Sequence, residues 1–273
     1  SKTDSLQADR IKIPVLRHLV LESPLTMPSL IEADTLRLDF YRYNPYTLYT
    51  QYPGYLGVIG QASYSLSYFD NTLLSDNPFL KPYVATFFSN RNIALYNSRR
   101  PFTILSYTHG AQQEEFFDAF HTQNISKNWN IGFEMRMYGG EGHYNLQKAG
   151  THQMKAFTSY FGQRYSIIGQ YAFNRLYTQE NGGITDLENL HNKSTNSKSL
   201  NTSLLAANSA IKYSQLYIKQ EFNLGTAKPE TDSTTVDLDE FPLSFGHEFS
   251  YDKTYRKFDE ILYTSSKKHY SNL

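Results

Sequence analysis

An acid and a base stand two residues apart in the stretch 129–138, where Glu134 and Arg136 share one side of an alternating pattern. Residues at i and i+2 lie on the same face of a β-strand, so the two charges would project side by side. Charges that line a water-filled passage set its local potential and select among solutes. The plain alternative is a cross-strand ion pair on a solvated wall. Polar residues at comparable positions in later stretches are Lys155, Gln170, Asn174 and Glu248.

Other kinds of chemistry have weaker support. Glu141, His143 and His152 could bind zinc, but their spacing matches neither a helical i, i+4 pair nor a compact strand pair. The acidic group at 232–240 lacks the ligand order and the central glycine of an EF-hand calcium loop. The sequence contains no Gly-x-Ser-x-Gly turn that would present a nucleophilic serine. We therefore expect no enzymatic activity, no metal and no cofactor.

The elements that must position the polar residues are amphipathic strands. Apolar and polar residues alternate without a slip through 129–138, and similar alternation returns at 165–174 and 241–252. A period of two predicts strands, and its repetition at about 9–11 residues is typical of a membrane-spanning β-wall. The apolar residues predicted to face lipid are Trp129, Ile131, Phe133, Met135, Met137, Tyr171, Phe173 and Phe245. The residues predicted to line the lumen are Glu134, Arg136, Lys155, Gln170, Asn174 and Glu248.

Composition narrows the class of protein. The chain has 26 basic and 26 acidic residues, so its balanced charge does not favour a nucleic-acid partner. It has no cysteine, which excludes disulfides and thiolate chemistry. Its 23 tyrosines suit boundaries between apolar and wet regions. No apolar run approaches the roughly 20 residues of a transmembrane helix, but only every second residue of a barrel wall must be apolar.

The chain divides into two regions by pattern. Residues 1–35 are polar, contain three prolines and are predicted to form an irregular N-terminal arm. Strand patterns begin at residue 36 and recur to the end, so 36–273 is predicted to be one transmembrane β-barrel region. Short connections at 124–128 and 161–164 alternate with long ones at 139–150 and 178–209, as periplasmic turns and extracellular loops do. The long connection at 225–240 and the short one near Gly110 depart from this order.

Several segments carry a family resemblance. The strand Pro101-Phe102-Thr103-Ile104-Leu105-Ser106-Tyr107 fits a Pro-x-Thr-x-Leu-x-Tyr pattern, and Leu243 to Tyr251 contains Gly-His followed by Tyr. Further matching segments are Gln123–Phe133, Phe157–Tyr160, Tyr171–Asn174 and Glu180–Ile184. Together, these motifs resemble the Bacteroidota "putative porin" outer-membrane family over residues 36–263. The resemblance implies an all-β fold, an antiparallel transmembrane β-barrel of the outer-membrane type, and transport across the bacterial outer membrane.

The C-terminal sequence departs from that pattern. Barrels of this kind commonly end in an amphipathic strand with a terminal aromatic residue, whereas this chain ends Lys267-Lys268-His269-Tyr270-Ser271-Asn272-Leu273. About nine or ten strands can be counted, fewer than the family resemblance implies. We therefore expect a partial barrel, truncated at its C-terminal end, from the N-terminal portion of a longer chain.

Three functions are compatible with these patterns. The first is passive diffusion of small hydrophilic solutes through an outer-membrane porin. The second is a structural or docking subunit of a larger outer-membrane assembly, with other barrel proteins or surface lipoproteins as partners besides the lipid. The third is a soluble β-sandwich that binds glycans and covers its apolar face with a second sheet. The sequence leaves the solute and the oligomeric state open.

Overall fold

The computed structural model describes residues 17–20, 44–50, 52–68, 80–84, 87–90, 93–98, 100–162, 164–185, 188, 196–224 and 243–260. These residues are dominated by antiparallel strands, which confirms the all-β prediction. No helix among them is long and apolar enough to cross a membrane. Three parts of the sequence-based prediction lie outside the described residues: the strand pattern that begins at residue 36, the connection at 225–240 and the C-terminal residues 267–273.

Seven long strands form one antiparallel sheet, here called the wall, in which every strand pairs with its neighbour in sequence. Their alternating apolar and polar residues give each strand two chemically different faces, which fixes the register. The strands are β5 (Phe102–His109), β6 (Glu115–Ser126), β7 (Trp129–Gly140), β8 (Ala149–Phe161), β9 (Tyr165–Glu180), β10 (Ala207–Leu224) and β11 (Leu243–Glu260).

The ends of the wall differ in their connections. At the turn end, residues 127–128 join β6 to β7 and residues 162–164 join β8 to β9. At the loop end, the connections are residues 110–114 between β5 and β6, 141–148 between β7 and β8, and 181–206 between β9 and β10. A 3₁₀ turn at Ala111–Gln113 contacts the residue after β7, since Glu141 N donates to Gln112 O. Within the described residues β5 and β11 are the two edges, so the wall is an open, partial barrel.

The described residues between 44 and 98, here called the inner segment, contain only short elements. They are α1 (Pro45–Tyr49), β2 (Pro53–Tyr55), β3 (Ser63–Ser65), α2 (Lys81–Val84) and β4 (Ala94–Asn97). Strand β2 pairs with β3, and β4 pairs with β1 (Arg17–Val20). Asn44 caps α1, since its side chain accepts a hydrogen bond from Tyr46 N at 2.9 Å.

Two boundaries differ from the sequence-based expectation. The range expected to be an irregular arm contains β1, which pairs with β4 through Arg17 opposite Asn97, 80 positions later in the chain. No local pattern reveals so distant a partner. The barrel region was expected from residue 36, whereas the wall begins at Phe102. The inner segment instead packs against one face of the wall, through buried apolar side chains that cluster with wall residues.

Candidate functional site

The inner face of the wall is the face that carries the alternating polar residues. Direct cross-strand pairs join Glu134 to Lys155 and Lys155 to Ala172, so side chains of neighbouring strands project to the same side. By this register, the six residues predicted to line a lumen all lie on the inner face: Glu134, Arg136, Lys155, Gln170, Asn174 and Glu248. The structure brings the first five together near the middle of the wall, whereas Glu248 lies apart on the edge strand.

Four charged side chains on β6, β7 and β8 form a continuous network. Glu134 accepts from Arg136 at 2.5 Å and from Lys155 at 2.6 Å, and Arg136 also reaches Asp118 at 3.2 Å. The Glu134 and Lys155 side chains are only 7% and 9% exposed. Removing such charges from water is costly unless each one is paired, and here each acid contacts a base. The network contains two acids and two bases, so it is neutral as a unit.

Phe88 of the inner segment covers this network. Its ring centroid lies 4.8 Å from the Arg136 guanidinium carbon and 4.7 Å from Lys155 Nζ. Both distances are within the range of cation–π attraction, which strengthens when the cation is shielded from water. Phe88 is itself buried. The aromatic ring therefore separates the charged network from open solvent on the inner side.

Amide side chains of the wall hold the backbone next to that ring. Asn174 accepts from Phe88 N at 2.8 Å and donates to Phe88 O at 2.9 Å. Gln170 donates to Ser89 O at 3.0 Å, and Gln215 accepts from Asn90 N at 2.5 Å. These contacts satisfy backbone groups that have no ladder partner in a regular sheet. Residues 88–90 are thus fixed to β9 and β10.

Three apolar clusters attach the rest of the inner segment. Each cluster joins residues of the inner segment to residues on the inner face of the wall. Burial of these apolar side chains removes them from water, which is favourable. The clusters are Leu80, Tyr83 and Phe87 with Leu176 and Ile211; Ile93 and Leu95 with Ile168 and Tyr217; and Ile59 with Phe116 and Tyr138. Burial also raises the pKa of the Tyr83 hydroxyl, so this side chain stays neutral over a wide pH range.

The loop-end part of the inner segment is bound by hydrogen bonds. Tyr46 donates its hydroxyl hydrogen to Gln61 O at 2.5 Å and accepts from Gly60 N at 3.0 Å. Gln147, in the connection after β7, donates to Leu56 O at 2.5 Å. Burial is the main cause that raises the pKa of the Tyr46 hydroxyl. This end of the segment is therefore joined to a wall connection as well as to itself.

The outer face of the wall is apolar over most of its height. All eight residues predicted to face lipid lie on it: Trp129, Ile131, Phe133, Met135, Met137, Tyr171, Phe173 and Phe245. Trp129, Phe133, Tyr171 and Phe245 are exposed, and the other four are half-buried between neighbouring strands. No second sheet of the described residues covers them. An exposed apolar face of this extent needs an apolar environment.

Glu248 has different surroundings from the other polar residues. It lies opposite Lys219 on the edge strand β11, and most of this strand is exposed on both faces. Glu248 is therefore not part of the covered network around Glu134. Its partner is instead the hydroxyl of Tyr217, a buried residue that packs with Ile93 and Leu95 of the inner segment.

The inner segment is the feature that sequence reasoning missed. Its residues carry short patterns, and none of them was selected as a site residue. One signal was present in the wall: Ile168 interrupts the polar side of β9, and Phe157 and Leu176 are likewise apolar on the inner face. Apolar residues on an otherwise polar face indicate a packing partner. The structure identifies that partner as the inner segment.

An amphipathic antiparallel wall with apolar residues outside and polar residues inside defines a porin-like, membrane-embedded β-structure. The family comparison agrees with this class. The family model described as "Putative porin" matches residues 23–272, and the chain belongs to that family. No curated protein and no solved structure matches the chain.

Proposed function

We propose that the protein is an outer-membrane channel through which small hydrophilic solutes diffuse passively, and that the inner segment narrows its lumen. The observation that carries this proposal is the contrast between the two faces of the wall. The outer face presents aromatic and aliphatic side chains, whereas the inner face carries the network around Glu134 and the amides of β9 and β10. A polar lumen lowers the barrier to hydrophilic solutes, and an apolar exterior suits lipid.

The size and charge of the narrow region support a preference for small solutes. Phe88 and its neighbours occupy space beside Arg136 and Lys155, so any passage must run past the inner segment. The two acids and two bases of the network cancel, and rings of unbalanced charge are what give pores strong ion selectivity. We therefore expect a low conductance with little preference between cations and anions.

Planar-bilayer recording of the purified full-length native protein tests the channel. We expect discrete conductance steps in KCl and permeation of small sugars into loaded vesicles. A protein that inserts into the bilayer, as shown by heat-modifiable migration and protease resistance, but never conducts at any voltage would contradict the proposal. Fractionation of cell envelopes tests the location, since recovery with the inner membrane would contradict an outer-membrane channel.

A specific observation also favours the second candidate, a structural or docking subunit. The inner segment makes contacts from β6 to β10 and covers the middle of the inner face. A filled lumen suits a barrel that serves as a scaffold for other barrels or surface lipoproteins. Stoichiometric co-purification with such proteins, combined with absent conductance, would favour this role over the channel.

A further inference from the structure

The outer face carries a row of basic residues on adjacent strands near the loop end. His152 on β8 lies directly opposite Arg175 on β9, and Arg175 lies directly opposite Lys212 on β10. Directly opposed residues in antiparallel strands have Cα atoms about 4.5–5.5 Å apart. Lys253 on β11 lies on the same face, two residues from the partner of Lys212. All four side chains are exposed. We call these four residues the basic row.

The described residues provide no carboxylate that neutralises this row. None of their salt bridges includes a member of it. Asp259, on the same face of β11, pairs with Lys257 at 2.6 Å. Like charges placed directly opposite on neighbouring strands destabilise a sheet. The pair Arg175 and Lys212 therefore needs a compensating anion from outside the wall.

The row lies where the apolar band of the outer face ends. On β9 the outward residues are Tyr165, Ile167, Gly169, Tyr171 and Phe173, and Arg175 comes next. Such a run of nine residues is close to the length of a tilted strand that crosses the hydrocarbon core. Beyond the row, Tyr177 and Tyr255 add aromatic rings, and Lys212 Nζ lies 5.9 Å from the Tyr255 ring centroid. Tyrosine and basic side chains are typical of the headgroup level.

We propose that the basic row is a binding site for the phosphate group of a membrane lipid. This inference rests on the membrane position of the wall given under the proposed function. A phosphate between Arg175 and Lys212 can accept charge-assisted hydrogen bonds from both, while the acyl chains lie along Phe173 and Met154 on the apolar side. Lys253 extends the positive potential on the β11 side, and the His152 ring adds a polar side chain on the β8 side. The occupant is a lipid, because the site adjoins the apolar band and faces away from the lumen.

A surface cavity of about 530 Å³ adjoins the His152 end of the basic row. Gly139 on β7 and His152 on β8 form part of its lining. Glu115 and Glu141 line the same cavity. Their negative charge favours placing the phosphate at the Arg175 end, away from the cavity.

The test compares R175Q/K212Q with the native full-length protein. Both are reconstituted in vesicles of equal parts phosphatidylcholine and phosphatidic acid and re-extracted in mild detergent, and the retained lipid is measured by mass spectrometry. We expect the native protein to be enriched in phosphatidic acid and the variant to lose that preference by up to about 30-fold, since each basic residue near an anionic surface contributes about fivefold. The matched control K127Q/R164Q removes two exposed charges at the turn end and should retain lipid normally. The conservative variant R175K keeps the positive charge and should retain most of the native preference for phosphatidic acid.

The outcomes separate this inference from the channel itself. Equal retention of phosphatidic acid by R175Q/K212Q and the native protein would overturn the site. Release of the lipid by millimolar inorganic phosphate would also overturn it, because a free anion would then suffice. Preferential retention without conductance would contradict the channel while supporting the lipid site. Failure of the native protein to enter vesicles would contradict both. Heat-modifiable migration of each variant checks that the wall has folded.

Discussion

Asn174 and Phe88 exchange two hydrogen bonds although 86 positions separate them in the sequence. The Asn174 side chain is fully buried, so neither its carbonyl nor its amide can turn to water when the partner is lost. This pair fixes the inner segment at the level of the charged network.

Replacement of Asn174 by alanine should loosen the inner segment. The variant leaves Phe88 N and Phe88 O without these partners, and an unsatisfied buried polar group costs about 1–3 kcal/mol. We expect a lower unfolding midpoint in urea and faster protease cleavage within residues 80–98. Asn128→Ala, at the exposed β6–β7 turn, is the control and should change neither property. Unchanged protection of the inner segment in N174A would contradict its attachment through this pair.

Replacement of Glu134 by glutamine should alter both stability and selectivity. Arg136 and Lys155 then lose the carboxylate that both contact, and breaking a buried ion pair by removing one partner costs about 3–5 kcal/mol. The network also gains one net positive charge, so the reversal potential in a KCl gradient should shift towards chloride. The double variant E134Q/K155M removes the excess charge and should return the reversal potential towards the native value. A native reversal potential in E134Q would place the network outside the conduction path.

Replacement of Phe133 by arginine tests the orientation of the wall. Phe133 is the middle one of the five residues of β7 predicted to face lipid and is exposed, so it would face the centre of the bilayer. A charge at that depth costs about 2–4 kcal/mol. We expect reduced insertion into vesicles and a lower unfolding midpoint, whereas Phe133→Leu should insert like the native protein. Full insertion and stability of F133R would reverse the assignment of the two faces.

Two glycines on neighbouring strands give a matched pair of alanine substitutions. A Cβ on Gly132 would clash with the Phe157 ring, whereas one on Gly150 would meet no atom within 4 Å. Phe157 is buried and its ring lies 5.4 Å from that of Tyr96, so little space remains for it to shift. Gly132→Ala should destabilise by about 1–3 kcal/mol. Gly150→Ala should be neutral or slightly stabilising. Equal unfolding midpoints for the two variants would contradict the packing of Phe157 over Gly132.

Cross-linking tests whether the inner segment is a fixed constriction. The chain has no cysteine, so S89C/Q170C introduces the only thiols, at residues joined by a hydrogen bond. A short bis-maleimide should join them and leave the conductance unchanged, because Asn174 and Gln215 still hold Phe88 and Asn90 in this variant. Loss of conductance after cross-linking would show that the segment must move to open the channel. The single variants treated with the same reagent are the controls.

The wall could be predicted because its pattern is local. Alternation through 129–138 predicted β7, and the structure extends this strand only to Gly140. The long connection predicted at 139–150 is shorter in the structure, where β8 begins at Ala149, because Ala149 and Gly150 pair with Gly140 and Gly139 of β7. Local alternation also placed Glu134 and Arg136 on one face. Their position in one covered network with Asp118 depends on strand pairing, which the sequence pattern alone did not reveal.

The inner segment could not be predicted in the same way. Its strands have three or four residues, too few for a period of two to be distinguished from chance. Its stabilising contacts come from residues far along the chain, such as Gln215 for Asn90, 125 positions away. Tyr46, for example, is buried and bonds to Gln61 and Gly60, contacts that the pattern of its own stretch does not indicate. Only the apolar residues on the inner face, such as Ile168, indicated that something packs there.

The long separation between Asn90 and Gln215 also constrains the order of assembly. The inner segment leaves the ribosome before any wall strand, yet its contacts with β9 and β10 can form only after those strands exist. Contacts between residues so distant in sequence require costly loop closure and form slowly. The segment can therefore complete its packing on the inner face only after β9 and β10 have paired. The part of the chain that is synthesised first is thus among the last to complete its packing.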